Sequence, residues 1–237
     1  MNSVALVTGA DRGLGLGLTE ALLVKGWIVI AGKHFDWPEL EQLATKFPET
    51  LHTIPLDVSS DESVKKASQI VSSLVDHVDL VINNAALNRS HQIASIRQPQ
   101  DFDNMIDEVN INAIGALRVV EAFLPLVERS QLKRLCFVSS EAGSIGASNR
   151  TGWFGYCMSK AALNMAVKNL HNDLGPLGFT FRLYQPGYMK TYMAGTKNEN
   201  AHMEPDEAAG YALKIFLDNS ELETFAMIDW EGKEWPW

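Results

Sequence analysis

The chain has 237 residues, 46% of them hydrophobic and 21% charged, with a formal net charge of −9. That length suits one α/β domain with a sizeable core, and the composition contains nothing that reads as disordered. The acidic balance argues against a nucleic-acid partner, because phosphate backbones require a basic face.

Two cysteines, Cys136 and Cys157, have no CxxC spacing and read as reduced thiols of a cytoplasmic protein. No apolar run approaches the roughly 20 residues of a membrane span. The N-terminus also lacks the basic start and cleavage site of a signal peptide. A soluble, cytoplasmic protein with no membrane partner is expected.

In chain order, "SVALVTG" (3–9) is almost continuously apolar, as a parallel strand buried on both faces should be. It runs into a turn with four glycines, Gly9, Gly13, Gly15 and Gly17, and with Arg12 among them. The spacing is G-x-x-x-G-x-G. The fingerprint G-x-G-x-x-G does not fit, because from Gly13 it would need a glycine where Leu18 stands. Gly9 permits a tight turn, and Gly13 and Gly15 let backbone N–H groups approach an anion at the start of a helix predicted over 13–25. Gly17 lies inside that helix at a cost of about 1 kcal/mol relative to alanine. It reads as a close-packing residue.

"WIVIAG" (27–32) is the second strand, followed by a helix near 37–47 with Asp36 as N-cap and Pro38 in its first turn. "HTIPLDV" (52–58) precedes a helix capped by Ser59 or Ser60, with Glu62 adding early negative charge. Then come "VDLVINNAA" (78–86), a long helix over 101–128, "KRLCFVSS" (133–140), a helix over 156–174, "TFRLYQPG" (180–187), a helix near 206–218 and "FAMIDW" (225–230). About seven strands alternate with six helices. This predicts a single-domain Rossmann fold over 1–237: a doubly wound parallel sheet with helices on both faces. The polar stretch near 188–205 breaks the rhythm after a strand end and reads as a substrate lid or a tolerated surface insertion.

Four further patterns bear on chemistry. Tyr156 and Lys160 are four apart, so on a helix both can face one ligand, and a nearby ammonium favours the phenolate and lowers the tyrosine pKa. Ser139 and Ser140 end a strand where hydroxyls face the ligand crevice or cap a turn. Asn83 and Asn84 end another strand, where asparagine binds its own backbone or a ribose. Asn112 sits inside an apolar helix, against its propensity, as a functional or water-bridging residue does. Each pattern alone also has an ordinary structural explanation.

In combination they resemble the short-chain dehydrogenase/reductase family. Thr8-Gly9-x-x-x-Gly13-x-Gly15, Asn83-Asn84-Ala85, Asn112, Ser140, Tyr156-x-x-x-Lys160 and Pro186-Gly187 follow the family's order over nearly the whole chain. The stretch 139–164 and the tail "IDWEGKEWPW" are most similar to the carbonyl-reductase and C-factor-like branch. The resemblance implies a nicotinamide cofactor across the strand ends, with its pyrophosphate on the glycine turn. It implies that Tyr156 protonates the substrate oxygen, Ser140 hydrogen-bonds that oxygen, Lys160 holds the ribose, and Asn112 positions a relay water. It carries cofactor contacts onto Thr8, Gly9, Arg12, Gly13, Leu14, Gly15, Lys33, His34, Asp57, Val58, Asn83, Ala85, Tyr156, Lys160, Pro186, Gly187 and Thr191. Asp57 and Val58 would flank the adenine, and Thr191 would cover the nicotinamide carboxamide. Tyr192 departs from the branch, which often has an acid there.

At the end of the second strand, where NAD enzymes place an acid, the chain has Lys33 and His34. Arg12 is placed to grip a 2′-phosphate, so NADP(H) is favoured over NAD(H). Asp11 and Asp36 are the nearest objections. The histidines show no metal spacing, and no metal is expected. Two functions follow: an NADP(H)-dependent reductase of a ketone or aldehyde (or oxidant of the matching alcohol), and a dinucleotide-binding signalling protein of the C-factor type with little turnover. Trp153, Phe154, Met189 and Met193 suit a substrate with apolar surface. The family's use of the helices at 101–128 and 156–174 implies a homodimer or homotetramer.

Overall fold

A computed structural model describes residues 2–193, 195–220 and 225–237. Among these, eight strands form one sheet in the order β3-β2-β1-β4-β5-β6-β7-β8. They are β1 (Val4–Thr8), β2 (Ile28–Lys33), β3 (Leu51–Pro55), β4 (Leu80–Asn83), β5 (Arg134–Val138), β6 (Thr180–Gln185), β7 (Met227–Asp229) and β8 (Glu234–Trp235). The first seven are parallel, with Val4 opposite Ile28 and Ala5 opposite Leu80. The eighth is a correction to the expected seven. It is two residues long and antiparallel to β7, too short to leave a pattern in the sequence.

The helices are α1 (Gly13–Val24), α2 (Pro38–Lys46), α3 (Asp61–Leu74), α4 (Phe102–Val109), α5 (Gly115–Val127), α6 (Phe154–Leu174) and α7 (Pro205–Phe216). Strand side chains alternate between two cores. Val4 and Leu6 pack with Val71 of α3, Phe123 of α5 and Val167 of α6. Ala5 and Val7 pack with Leu18 of α1, Leu40 of α2 and Leu213 of α7. The doubly wound architecture is therefore present, with helices covering both faces.

Local chemistry sets most boundaries. Ser60 caps α3 by accepting the Ser63 amide at 3.2 Å, and Asp101 caps α4 by accepting the Asn104 amide at 3.0 Å. Asp36 does not cap α2. Trp37 is the N-cap, and the Asp36 carboxylate pairs instead with Lys33 at 2.6 Å. The long helix expected over 101–128 is present as Phe102–Val127, with its ladder widening into a π turn at Asn110–Ile114 between α4 and α5.

Phe102–Val127 is long and apolar enough to cross a membrane by length and composition. One face of it serves the sheet: Val119, Val120, Phe123 and Leu126 are buried in the core, and Glu108 is buried within α4, while Phe102, Ile106, Ile114 and Leu117 are exposed.

Candidate active site

The carboxyl ends of β1, β4, β5 and β6 open on the same edge of the sheet, and the residues singled out from the sequence gather there. The glycine turn is built by contact. Gly9 (φ +62°) and Gly13 (φ +58°) occupy the left-handed region. A Cβ on Gly9 would stand 2.9 Å from the Ala85 Cα, and one on Gly15 would collide with the Gly9 carbonyl. Thr8 ties β1 to β4, its hydroxyl accepting the amides of Asn84 and Ala85 at 3.0 Å each. Asn84 uses its side chain on backbone, donating to the carbonyls of Thr8 (2.9 Å) and Gly9 (3.2 Å). Gly17 is a packing residue as expected: a Cβ there would lie 2.9 Å from the Pro205 carbonyl of α7.

This turn fits an anionic dinucleotide. No acid stands in the first turn of α1, and its N-cap, Arg12, makes no side-chain cap. The leading amides, those of Gly13, Leu14 and Gly15, can therefore serve a phosphate. Thr191, in the polar connection, packs over Gly13 with its Cγ2 3.4 Å from where a Cβ would sit. Gly187 (φ +80°), after Pro186, lies against the Trp230 ring.

The cations at the β2 end are both engaged. Arg12 lies against two rings, its guanidinium 5.2 Å from the Phe35 centroid and 5.0 Å from that of Trp37. Lys33 is held by Asp36, whose pKa is lowered by the Lys33 hydrogen bond and charge. The His34 amide donates to buried Asp11 at 3.3 Å. Burial alone would raise the Asp57 pKa. Hydrogen bonds from Ser59, with the charges of His34 and Arg118, outweigh burial and leave it lowered. Val58 is buried against Gly115.

Ser140 follows β5 and caps a short 3-10 turn, its hydroxyl accepting the Ala142 amide at 3.1 Å. Ser139, by contrast, is spent on structure, donating to Asn164 at 2.6 Å. Tyr156 is the third residue of α6, which starts two residues earlier than the sequence suggested. Burial raises its pKa to about 12, the Ser140 hydrogen bond pulls it partly back, and Glu141, Cys157 and Glu108 push it up. Lys160 is not among the groups that move it. Lys160 donates to the Val138 carbonyl at 3.0 Å with its ammonium 5.7 Å from the Tyr156 ring centroid, and burial lowers its own pKa to about 8.

Asn112 lies in the π turn with its amide in use: Oδ1 accepts the Leu87 amide at 2.7 Å, and Nδ2 donates to the Leu87 carbonyl and the Ser159 hydroxyl. Asn83, also buried, borders a cavity of about 10 Å³ with Thr8 and Asn112, and its side-chain amide has no hydrogen-bond partner among the described residues. That volume holds about one water, so the pair forms a buried polar spot behind the site.

Sequence reasoning missed Glu108, Ser90, Ser159 and Trp37. Glu108 had a signal: it is four residues before Asn112 in a helical run, hence on the same face. Trp235 donates to Asp229 at 2.9 Å, Trp237 stacks on Phe225, and the Gly146 amide donates to the Trp237 carbonyl.

Comparison with known proteins gives the same picture. The family described as short chain dehydrogenase matches residues 3–202. An NADPH-bound carbonyl reductase from chicken fatty liver superposes with a TM-score of 0.87 at 31% identity, covering 100% of both chains. The 1-hydroxy-2-glutathionyl-2-methyl-3-butene dehydrogenase of Rhodococcus sp. strain AD45 is 31% identical over 94% of this chain and 93% of its own length. The C-signal of Myxococcus xanthus is 37% identical over 68% of this chain and 93% of its own.

Proposed function

The chain belongs to the short-chain dehydrogenase/reductase family and is an oxidoreductase, and from that premise we propose that it reduces a ketone or aldehyde with NADPH, or oxidises the matching alcohol with NADP+. The observation that carries this reading is the convergence of Ser140, Tyr156 and Lys160 beside a glycine turn suited to a dinucleotide.

The bound nicotinamide would supply or accept the hydride. Tyr156, kept protonated by burial, delivers its phenolic proton to the substrate oxygen. Ser140 donates a hydrogen bond to that oxygen and stabilises the charge developing there. Lys160 holds the ribose hydroxyls and, once turned from Val138, offers its ammonium to the phenolate left behind. Asn112 keeps the Leu87 segment in place and holds Ser159 beneath the tyrosine, consistent with a positioning role in proton supply.

NADP(H) is supported by Arg12 at the glycine turn, by the lysine in place of an acid at the end of β2, and by the NADPH-bound relative. Substrates with apolar surface suit the half-buried Trp153 and Phe154 beside Tyr156. Self-association is supported by exposed Phe102, Ile106, Ile114 and Leu117 on α4–α5 with Met158 and Met165 on α6. A cytoplasmic homodimer or homotetramer, without nucleic-acid or membrane partners, completes the proposal.

The likeness to the C-signal favours a second reading, a dinucleotide-binding regulator with little turnover. The intact Tyr156 and Lys160 weigh for the enzyme. A panel of ketones and aldehydes with NADPH and NADH, followed at the nicotinamide absorbance, separates the two. Turnover with NADPH and its loss in Tyr156→Phe are expected. Near-wild-type rates in that variant would overturn the assignment, and binding without turnover would favour the regulator.

A further inference from the structure

We propose that Glu108, acting through Ser90, positions the proton-donating tyrosine by capping the first turn of α6 from outside the helix. The inference deepens the carbonyl-reductase reading and rests on it.

The first amides of a helix have no acceptor within it. Tyr156 is the third residue of α6, so its N–H is one of these. The usual remedy is a side-chain oxygen on the N-cap residue. Here the N-cap is Trp153, which sits in the left-handed region (φ +59°, ψ 35°) and makes no side-chain bond. The acceptor comes from 66 residues away in sequence: the Ser90 hydroxyl receives the Tyr156 amide at 3.2 Å.

A serine hydroxyl has one hydrogen to give. Ser90 gives it to Glu108 Oε2, which leaves its lone pairs for the tyrosine amide. Glu108 Oε1 accepts two more amides, those of Arg89 (2.6 Å) and Ser90 (2.9 Å). The carboxylate thus fixes both the place and the direction of the Ser90 hydroxyl. Ser90 is 3% exposed and Glu108 0%, so water does not compete for these bonds.

Among the described residues, Glu108 also has no cation paired with it. The Arg89 guanidinium turns to Asn104 and Asp107, and the carboxylate is held by amides and a hydroxyl. A Cβ on Gly155 would run into Glu108 Oε2, so the carboxylate is pressed against the opening turn of α6. Negative charge at that end suits the helix dipole. The segment before the helix is fastened to the same loop, with the Trp153 amide donating to the Ile93 carbonyl at 3.0 Å.

Among the described residues, the groups facing the phenol are Ser140 and Glu141 after β5, Cys157 and Lys160 on α6, and Glu108 on α4, with Arg150 paired to Glu141. Removing the Glu108 charge takes away one of the groups that raise the tyrosine pKa.

The test uses the full chain with three variants, Ser90→Ala, Ser90→Thr and Glu108→Gln. Amide hydrogen exchange of the Tyr156 region is read without cofactor, and kinetics are read with NADPH. In Ser90→Ala, exchange at the Tyr156 amide should rise and kcat should fall, each by about tenfold or more, with the NADPH Kd within about twofold. Ser90→Thr should restore both. Glu108→Gln should also move the alkaline limb of the kcat/KM profile to lower pH, a shift that loss of packing alone would not produce. Wild-type exchange and kcat in Ser90→Ala would overturn the proposal. If Glu108→Gln does not fold, the Ser90→Ala and Ser90→Thr pair decides. A wild-type protein with no carbonyl turnover would overturn the reductase reading instead, while the exchange data would still decide the cap.

Discussion

The ammonium of Lys160 lies 5.7 Å from the centre of the Tyr156 ring and gives its hydrogen bond to the Val138 carbonyl at 3.0 Å. A fully buried ammonium whose hydrogen-bond acceptor is a neutral carbonyl is costly, and its pKa falls from 10.5 to about 8. That depression corresponds to about 3 kcal/mol against the folded state.

Lys160→Met should therefore stabilise the fold at pH 7 while abolishing turnover. The folded protein holds fewer protons than the unfolded chain between about pH 8 and 10.5. The penalty is thus complete below pH 8 and fades as pH rises to the unfolded value. Urea denaturation of both proteins should show the largest gap at pH 7 and a smaller one at pH 10. A variant less stable than wild type at pH 7 would contradict this account of the lysine.

Arg12→Ala should weaken NADPH binding by about 10- to 100-fold and leave NADH within about twofold, as loss of a charge-assisted phosphate contact does. Lys33→Ala should have the smaller effect, because Asp36 already neutralises Lys33. Titration of tryptophan fluorescence with each nucleotide measures both, and Trp37 against Arg12 is a reporter in place. Equal losses for NADPH and NADH would remove the 2′-phosphate role.

Two glycine substitutions should separate packing from cofactor binding. Gly17→Ala places a methyl 2.9 Å from the Pro205 carbonyl and 3.2 Å from Ala209, so it should cost about 1–3 kcal/mol in stability without altering nucleotide affinity of the folded protein. Gly13→Ala meets no closer atom than 3.4 Å but is strained at φ +58°. Its loss should appear in nucleotide Kd as well as in thermal midpoint. The reverse assignment in calorimetry would refute the division of roles.

Ile106→Glu and Met165→Glu place charges on side chains that are 65% and 63% exposed on α4 and α6. If these faces join copies of the chain, light scattering should show a mass shift towards the monomer with unchanged far-UV circular dichroism. Masses equal to wild type in both variants would exclude this surface.

The parallel core was legible because buried strands read as unbroken apolar runs ended by residues such as Gly9 and Ser139. "SVALVTG" and "KRLCFVSS" both gave strands within a residue or two of the predicted ends. What sequence periodicity missed depends on contacts between distant segments. The π turn at Asn110–Ile114 keeps an apolar helical pattern, and its widened ladder serves the Asn112 bonds to Leu87 and Ser159. The misassigned cap shows the same limit: Asp36 has the right residue type, but Lys33 competes for it more effectively than the backbone does. The pKa order of Tyr156 and Lys160 also escaped, since spacing reports which groups are neighbours and not how deeply they are buried.

The strand order carries a kinetic consequence. β1 sits between β2 and β4, and Thr8 completes its hydroxyl bonds with amides 76 and 77 residues further on. During synthesis the glycine turn therefore stays unfinished until β4 has left the ribosome. The later strands β5, β6 and β7 then add one beside another in the order they are made. Nucleotide present in the cell should find its turn assembled before Tyr156 exists in the chain, so a truncated polypeptide ending after α5 is where assisted folding by the cofactor would first be felt.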